Sequence, residues 1–311
     1  MAETEKTLPV ILLAGPTAAG KSSLALDLAE VLGTEIVNAD SMQVYRHMDI
    51  GAAKPTPEER SRVRHHLLDA ADPDEDFDAA RYLELARPAI DDLHRQGKVP
   101  LVVGGTGLYM KVLLRGICEG PPADLSLRHR IAAELEDLGL AALHAELETV
   151  DPVLARRIHP NDRQRIVRAI EVFRATGTPL SRWQNRHMFE ESRYPALKFF
   201  LHREREELYE RIDRRARQMV DAGFVDEVRR LLDLGYGLEL KPMQSLGYRQ
   251  MTDHVLGKIG IEEAIRQMQR DTRRYAKRQI TWFRGDPEFQ WIEAGDREEI
   301  FRRVEEGLVR F

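Results

Sequence analysis

Cysteine is almost absent: Cys118 is the only one in 311 residues, which excludes an internal disulfide and a cysteine-rich zinc site. No apolar run approaches the ~18 residues of a membrane span. The first residues, Met-Ala-Glu-Thr-Glu-Lys, lack the apolar core of a secretory signal. There is no excess of positive charge either, since 47 Lys and Arg face 52 Asp and Glu for a net charge of −5. The overall balance therefore does not advertise nucleic acid. Together these absences point to a cytoplasmic protein. What is present, 42% hydrophobic and 32% charged residues, is the composition of a globular chain with room for one large or two modest domains.

The most informative stretch is Val10 to Ser23. Val10 to Leu13 reads as a short buried strand, and Leu24, Leu28, Val31 and Leu32 give the helical pattern that follows. Between them Gly15, Pro16, Thr17, Ala18, Ala19, Gly20, Lys21 and Ser22 complete G-x-x-x-x-G-K-[ST], the phosphate-binding P-loop. Its glycines let successive amides turn toward an anion, and the new helix adds its positive end. Lys21 brings a point charge, and the Ser22 hydroxyl can reach Mg²⁺. The segment predicts a di- or triphosphate ligand.

Glu35 to Ala39 reads as a second strand, delivering Asp40-Ser-Met-Gln-Val-Tyr45 to a loop beyond its carboxyl end, where ligands of open parallel sheets bind. Asp40 is placed there either for chemistry or as a helix cap. His65 and His66 are adjacent, so packing or backbone bonding explains them better than metal binding does. Phe77 to Gln96 predicts a helix. Pro100 to Val103 predicts a strand, followed by Gly104-Gly-Thr-Gly107-Leu-Tyr109. That strand lacks the terminal acid that supplies a second Mg²⁺ ligand in P-loop ATPases. Its glycines suggest close approach of backbone to a ligand, the alternative being a tight turn.

After Gly116 the texture changes. The turn Gly120-Pro-Pro-Ala precedes a stretch, Leu127 to about Arg186, with no strand pattern, read as an all-helical insertion. Its second half carries Arg156, Arg157, Arg163, Arg165, Arg168, Arg174, Arg182 and Arg186. Helical spacing puts Gln164, Arg165 and Arg168 on one face and Ile166, Ile170 and Phe173 on the other. This face is either a solvated surface or a nucleic-acid contact. Leu197 to Leu201 predicts a strand returning to the sheet. In the helix from about Arg205 to Ala222, Arg215 falls on the apolar stripe of Leu208, Ile212 and Met219. A charge there needs an anionic partner or must snorkel to the edge. A long helix from Ile261 to about Phe283 buries Ile265, Met268, Thr272, Ala276, Ile280 and Phe283. Its other side carries Arg266, Arg270, Arg273, Arg274, Lys277, Arg278 and Arg284, the strongest basic surface of the chain.

Gly15 to Ser22, Asp40-Ser-Met-Gln-Val-Tyr-Arg46, Met48-Asp-Ile-Gly-x-Ala-Lys-Pro55, Gly104-Gly-Thr-Gly-Leu-Tyr109 and Ala276-Lys-Arg-Gln-x-Thr-Trp282 together resemble the bacterial tRNA dimethylallyltransferases (IPP transferases). The likeness covers essentially the whole chain. It implies an α/β, P-loop NTPase-like (nucleotide-kinase-like) parallel sheet with helices on both faces. The core is expected at 1–117 and 199–311, and a helical insertion contacting tRNA at 118–198. It also implies transfer of a dimethylallyl group from dimethylallyl diphosphate to the N6 amine of adenosine 37 beside the anticodon. A P-loop transferase or kinase acting on a free nucleotide is the alternative.

The resemblance further implies that Thr17 and Arg215 act on the diphosphate with the rest of the P-loop, that Ser22 holds Mg²⁺, and that Asp40 is the general base. It places Asp40, Ser41, Met42, Gln43, Thr106, Arg128, Gln164, Arg165, Ile166, Val167, Arg168, Gln244, Gly247, Tyr248 and Arg249 at the RNA. Eukaryotic relatives add a zinc finger, whereas this chain, with one cysteine, is expected to use no zinc and no membrane, and to act as a monomer.

Overall fold

In the computed structural model, residues 8–117, 125–186 and 192–311 are described. The acidic N-terminal residues, Cys118 and the Gly120-Pro-Pro-Ala turn lie outside them, as does the Arg186 side chain. Two compact units emerge, one from residues 1–114 with 192–311, the other from 115–191. The expected boundary at 198 falls inside a sheet strand, so the helical unit ends earlier than the sequence suggested.

The first unit begins with β1 (Val10–Ala14), α1 (Lys21–Leu32), β2 (Ile36–Asn38), α2 (Pro57–Arg62), β3 (His65–His66), α3 (Ala79–Arg95), β4 (Leu101–Gly104) and α4 (Gly107–Arg115). The second unit holds α5 (Leu125–Val150), α6 (Pro152–Ala155), α7 (Arg163–Thr176) and α8 (Leu180–Arg186). The first then resumes with β5 (Ala196–His202), α9 (Arg205–Asp221), α10 (Phe224–Asp233), α11 (Tyr248–Val255), α12 (Ile261–Arg284), β6 (Gln290–Glu293) and α13 (Arg297–Leu308).

The six strands form one sheet in the order β3-β2-β4-β1-β5-β6, all neighbours parallel. Parallel sheets are covered on both faces, which is why β1 is uninterrupted Val-Ile-Leu-Leu-Ala with every residue buried. Ile11 and Leu13 pack on the face of α1 and α13, with Leu24, Leu28, Ile300 and Val304. The alternate residues Val10, Leu12 and Ala14 are also fully buried and must point to the other face. Each such aliphatic side chain contributes roughly 1.5–3 kcal/mol by leaving water. Beyond the sheet, α9 to α12 build a second core from Phe224, Val228, Tyr248, Met251, Ile265 and Met268, closed over Val44, Tyr45 and Met48 of the loop after β2.

Two strands escape the sequence pattern. β3 is only His65 and His66, fixed by pairing with β2; His65 Nδ1 bonds the Val63 carbonyl, and His66 Nε2 lies 2.7 Å from Glu35. β6 is an edge strand carried by Trp291 and Ile292 against Phe200 and Leu201. Among the described residues no helix is long and apolar enough to cross a membrane.

The second unit is helical throughout its described residues. α5 breaks at Gly139, whose φ of +78° favours glycine. Its core joins Ile131, Leu143, Leu147, Leu154, Ile166 and Ile170.

Candidate active site

β1 ends and α1 begins around the P-loop. Gly20 caps the helix at φ 105°, a left-handed conformation open to glycine, with no side-chain cap on the first-turn amides of α1. Lys21 folds back, its Nζ donating to the Gly15 and Pro16 carbonyls at 2.9 and 2.8 Å. Burial lowers its pKa to about 8; Asp40 opposes that fall and Arg215 adds to it. From outside, Arg203 and Arg211 donate through Nε to the Ala19 and Ala18 carbonyls, each at 2.9 Å. The loop is thus held at its carbonyls by three cations.

A cavity of about 380 Å³ opens at the carboxyl ends of the strands. On its P-loop side lie Thr17, Ala18, Lys21, Ser22, Arg215 and Arg278. Arg215 answers the question its position raised. It comes from the apolar stripe of α9 into the cavity, with an Nη1 donating to Thr17 Oγ1 at a long 3.5 Å. Burial pushes its pKa down, and Asp40 resists that shift. Asp40, Ser41, Met42 and Gln43 line the same space, as do the apolar Ile212, Ala216, Met219, Leu246 and Met268.

Asp40 is not the helix cap that the sequence offered, since it closes a loop turn. Its Oδ1 accepts from the Met42 and Gln43 amides at 2.8 and 3.4 Å, so it does cap its loop, although no helix follows. Asp40 nevertheless lines the cavity. The Gln43 side chain is committed to the Ala52 and Ala53 carbonyls, bracing another cavity wall. Thr106 braces the Asp40 loop, its Oγ1 accepting from the Ser41 amide at 3.1 Å.

The glycines from the end of β4 onward are required by the protein's own packing, and Gly104 also lines the cavity. A Cβ on Gly104 would lie 2.1 Å from the Ala39 carbonyl oxygen. One on Gly105 would meet the Gln279 side chain, and one on Gly107 the Trp282 indole, each at 2.1 Å.

The expected RNA residues fall into two groups. In the first unit, Asp40 to Gln43 and Gly247 line the cavity, while Gln244 and Arg249 are exposed. Tyr248 is a correction: its side chain is 0% exposed and its hydroxyl donates to Glu227 at 2.7 Å, fixing α11 to α10. In the second unit, Arg128 and Arg168 meet on one buried carboxylate, Glu171, at 2.7 and 3.0 Å. Gln164 and Arg165 are exposed beside them, and Val167 is half-buried. Ile166 is 0% exposed and belongs to the helical core, so its side chain does not face outward.

The basic surfaces are less free than the sequence suggested, because many of their arginines pair with acids, some nearby and some from distant segments. Arg174 pairs with Glu134 and Glu146 of α5. On α12, Arg266 pairs with Glu263, Arg270 and Arg274 with Asp271, and Arg273 with Asp213 of α9. Lys277 and Arg278 have no acidic partner among the described residues, and Arg278 reaches the cavity.

Sequence reasoning missed Arg203, Arg211 and Gln279. The Gln279 side chain accepts from the Thr17 amide and donates to the Gly105 carbonyl, both at 3.0 Å. A polar residue on the buried stripe of α12 was the available signal.

A parallel α/β sheet with a P-loop at one strand end, beside a cavity lined by cations and a carboxylate, defines a protein of the P-loop NTPase-like class. Within that class, the chain belongs to the IPP transferase family, whose profile matches residues 43–286, and is a prenyl-transferring enzyme. It is 61% identical over 301 residues to the tRNA dimethylallyltransferase of Syntrophobacter fumaroxidans, covering 97% of this chain and 88% of that one. Among solved structures it is similar to the full-length tRNA isopentenylpyrophosphate transferase of Bacillus halodurans. There the TM-score is 0.72, at 39% identity and 97% coverage of each chain. A eukaryotic dimethylallyltransferase acting on tRNA gives a TM-score of 0.75 at 29% identity, over 92% of this chain and 73% of that one.

Proposed function

We propose that the protein transfers the dimethylallyl group of dimethylallyl diphosphate to the N6 amine of adenosine 37 in tRNA anticodon loops, releasing diphosphate. The observation that carries this reading is the shared cavity, where P-loop and α9 cations, the Asp40 carboxylate and an apolar wall line one space. Gly15 to Ser22 bind the diphosphate. As the prenyl C–O bond breaks, its electron pair passes to the leaving diphosphate. Lys21, Arg215, Thr17 and the α1 amides stabilise the charge that develops there, the kind of preorganised field that usually dominates catalysis.

The amine nitrogen forms the new C–N bond, and its proton passes to Asp40. With Oδ1 held by two amides, the other carboxylate oxygen is the acceptor. To bring the amine there, the adenine must leave its stack. Asp40 to Gln43, Thr106, Gly247, Gln244 and Arg249 then meet the RNA on the core, and Arg128, Gln164, Arg165 and Arg168 meet it on the helical unit. The enzyme works as a cytoplasmic monomer.

Mg²⁺ fits this donor set. Ser22 offers a hard oxygen at the P-loop, and no cluster of three His, Cys, Asp or Glu among the described residues would cage a metal. Mg²⁺ commonly takes one or two protein oxygens and completes its shell with phosphate and water. When bound, it neutralises charge on the diphosphate.

The test is incubation with Mg²⁺, prenyl-labelled dimethylallyl diphosphate and unmodified tRNA, beside AMP. Label is expected in tRNA and absent from AMP. Label in AMP would establish the free-nucleotide reading, and no label anywhere would return the site to nucleoside triphosphates.

A further inference from the structure

We propose that Gln279 is a positioning residue for the transfer, tying the diphosphate-binding loop to the turn that holds the Asp40 loop; this rests on the function proposed above. A buried side-chain amide is costly unless both ends are satisfied, and in Gln279 both are. Its Oε1 accepts from the Thr17 amide, and its Nε2 donates to the Gly105 carbonyl. Thr17 in turn presents its hydroxyl to Arg215.

On the other side, Gly105 is followed by Thr106, whose amide donates to the Ala39 carbonyl and whose Oγ1 accepts from the Ser41 amide, both at 3.1 Å. Asp40 lies between Ala39 and Ser41. A path of hydrogen bonds joined by the Gly105–Thr106 peptide therefore runs from the residue that meets the leaving diphosphate to the two residues flanking the one that takes the proton, and Gln279 is its link from α12. Gly105 is the matching vacancy, because any side chain there would displace the Gln279 amide. The P-loop amide of Thr17 is oriented by this glutamine, which fixes the departing end of one substrate against the acceptor end of the other.

The experiment compares Gln279→Met, which keeps length and loses both bonds, Gln279→Glu, which keeps only the acceptor for Thr17, and Gly105→Ala. Single-turnover prenyl transfer to tRNA is read beside the Kd of each substrate and the melting temperature. Misplacing reacting groups by an ångström costs on the order of 100-fold, so the Gln279→Met and Gly105→Ala rates are expected to fall about 10- to 100-fold. Both Kd values should stay within about threefold of wild type, with Gln279→Glu intermediate in rate. Where Gln279→Met does not fold, Gln279→Glu and Gly105→Ala carry the comparison.

A lower melting temperature with an unchanged rate per folded molecule would overturn the proposal, as would a loss lying wholly in Kd. Wild-type enzyme in the same assay separates the two claims. Its own failure to transfer label would defeat the transferase reading, whereas unaffected variants beside an active wild type would defeat only the role of Gln279.

Discussion

Replacing Asp40 with asparagine separates the loop contacts this residue makes from the role as base proposed for it. Asparagine keeps an Oδ1 that can accept from the Met42 and Gln43 amides, so the loop should persist. Stability is expected to change by no more than a few tenths of a kcal/mol, whereas Asp40→Ala should cost about 1 kcal/mol, as losing a side-chain cap does. The proton acceptor is lost in both. Positioned proton transfer contributes roughly 10²–10⁴-fold, so kcat should fall by that factor in each variant, ~3–5 kcal/mol of barrier. The carboxylate also favours the charged forms of Lys21 and Arg215. Without it the Lys21 pKa drops below its value of about 8, and diphosphate affinity should weaken in both variants. Single-turnover prenyl transfer to tRNA with thermal melts of all three proteins reads these effects. A kcat for Asp40→Asn within threefold of wild type, beside a strongly impaired Asp40→Ala, would reduce Asp40 to a loop cap and refute its role as base.

Because burial lowers Lys21 to a pKa of about 8, its ammonium is lost as pH rises through that value. Dimethylallyl diphosphate affinity should then fall by up to about tenfold per pH unit above 8, with proton uptake on binding seen by calorimetry, and Lys21→Met should flatten the profile. Glu227 accepts from the Asp49, Ile50 and Gly51 amides and from the Tyr248 hydroxyl while almost fully buried. Glu227→Ala leaves those donors unmet and should cost about 3–5 kcal/mol in urea unfolding, with Glu227→Gln costing less. Arg165 is exposed on the helical unit, and Arg165→Ala should reduce the slope of log affinity for tRNA against log salt by about 1.

Much of this architecture was written locally. Val10 to Ser23 specifies a buried strand, a glycine turn and the start of a helix within fourteen consecutive residues, and of the apolar stripe that follows, Leu24 and Leu28 are buried while Val31 is exposed. The stripes of α9 and α12 likewise announced their buried faces, including the anomaly of Arg215. What escaped detection depends on partners far along the chain. β3 is two residues long and exists only by pairing with β2. Arg203 and Arg211 bind backbone carbonyls of the P-loop, an acceptor that leaves no trace in residue identity. Arg174 of α7 looked free because its partners Glu134 and Glu146 lie on α5. Ile166 and Tyr248 sit inside stretches that the resemblance places at the RNA, and a resemblance does not distinguish residues that hold a surface from residues that form it.

The most direct measurement follows diphosphate release and prenyl incorporation in one reaction, with tRNA as acceptor and the modified nucleoside identified after digestion. One diphosphate released for each dimethylallyl group found on an adenosine N6, with neither product formed when tRNA is omitted, is the expected result. Diphosphate released without incorporation, or orthophosphate released from ATP instead, would contradict a P-loop that stabilises the departure of a prenyl group's diphosphate.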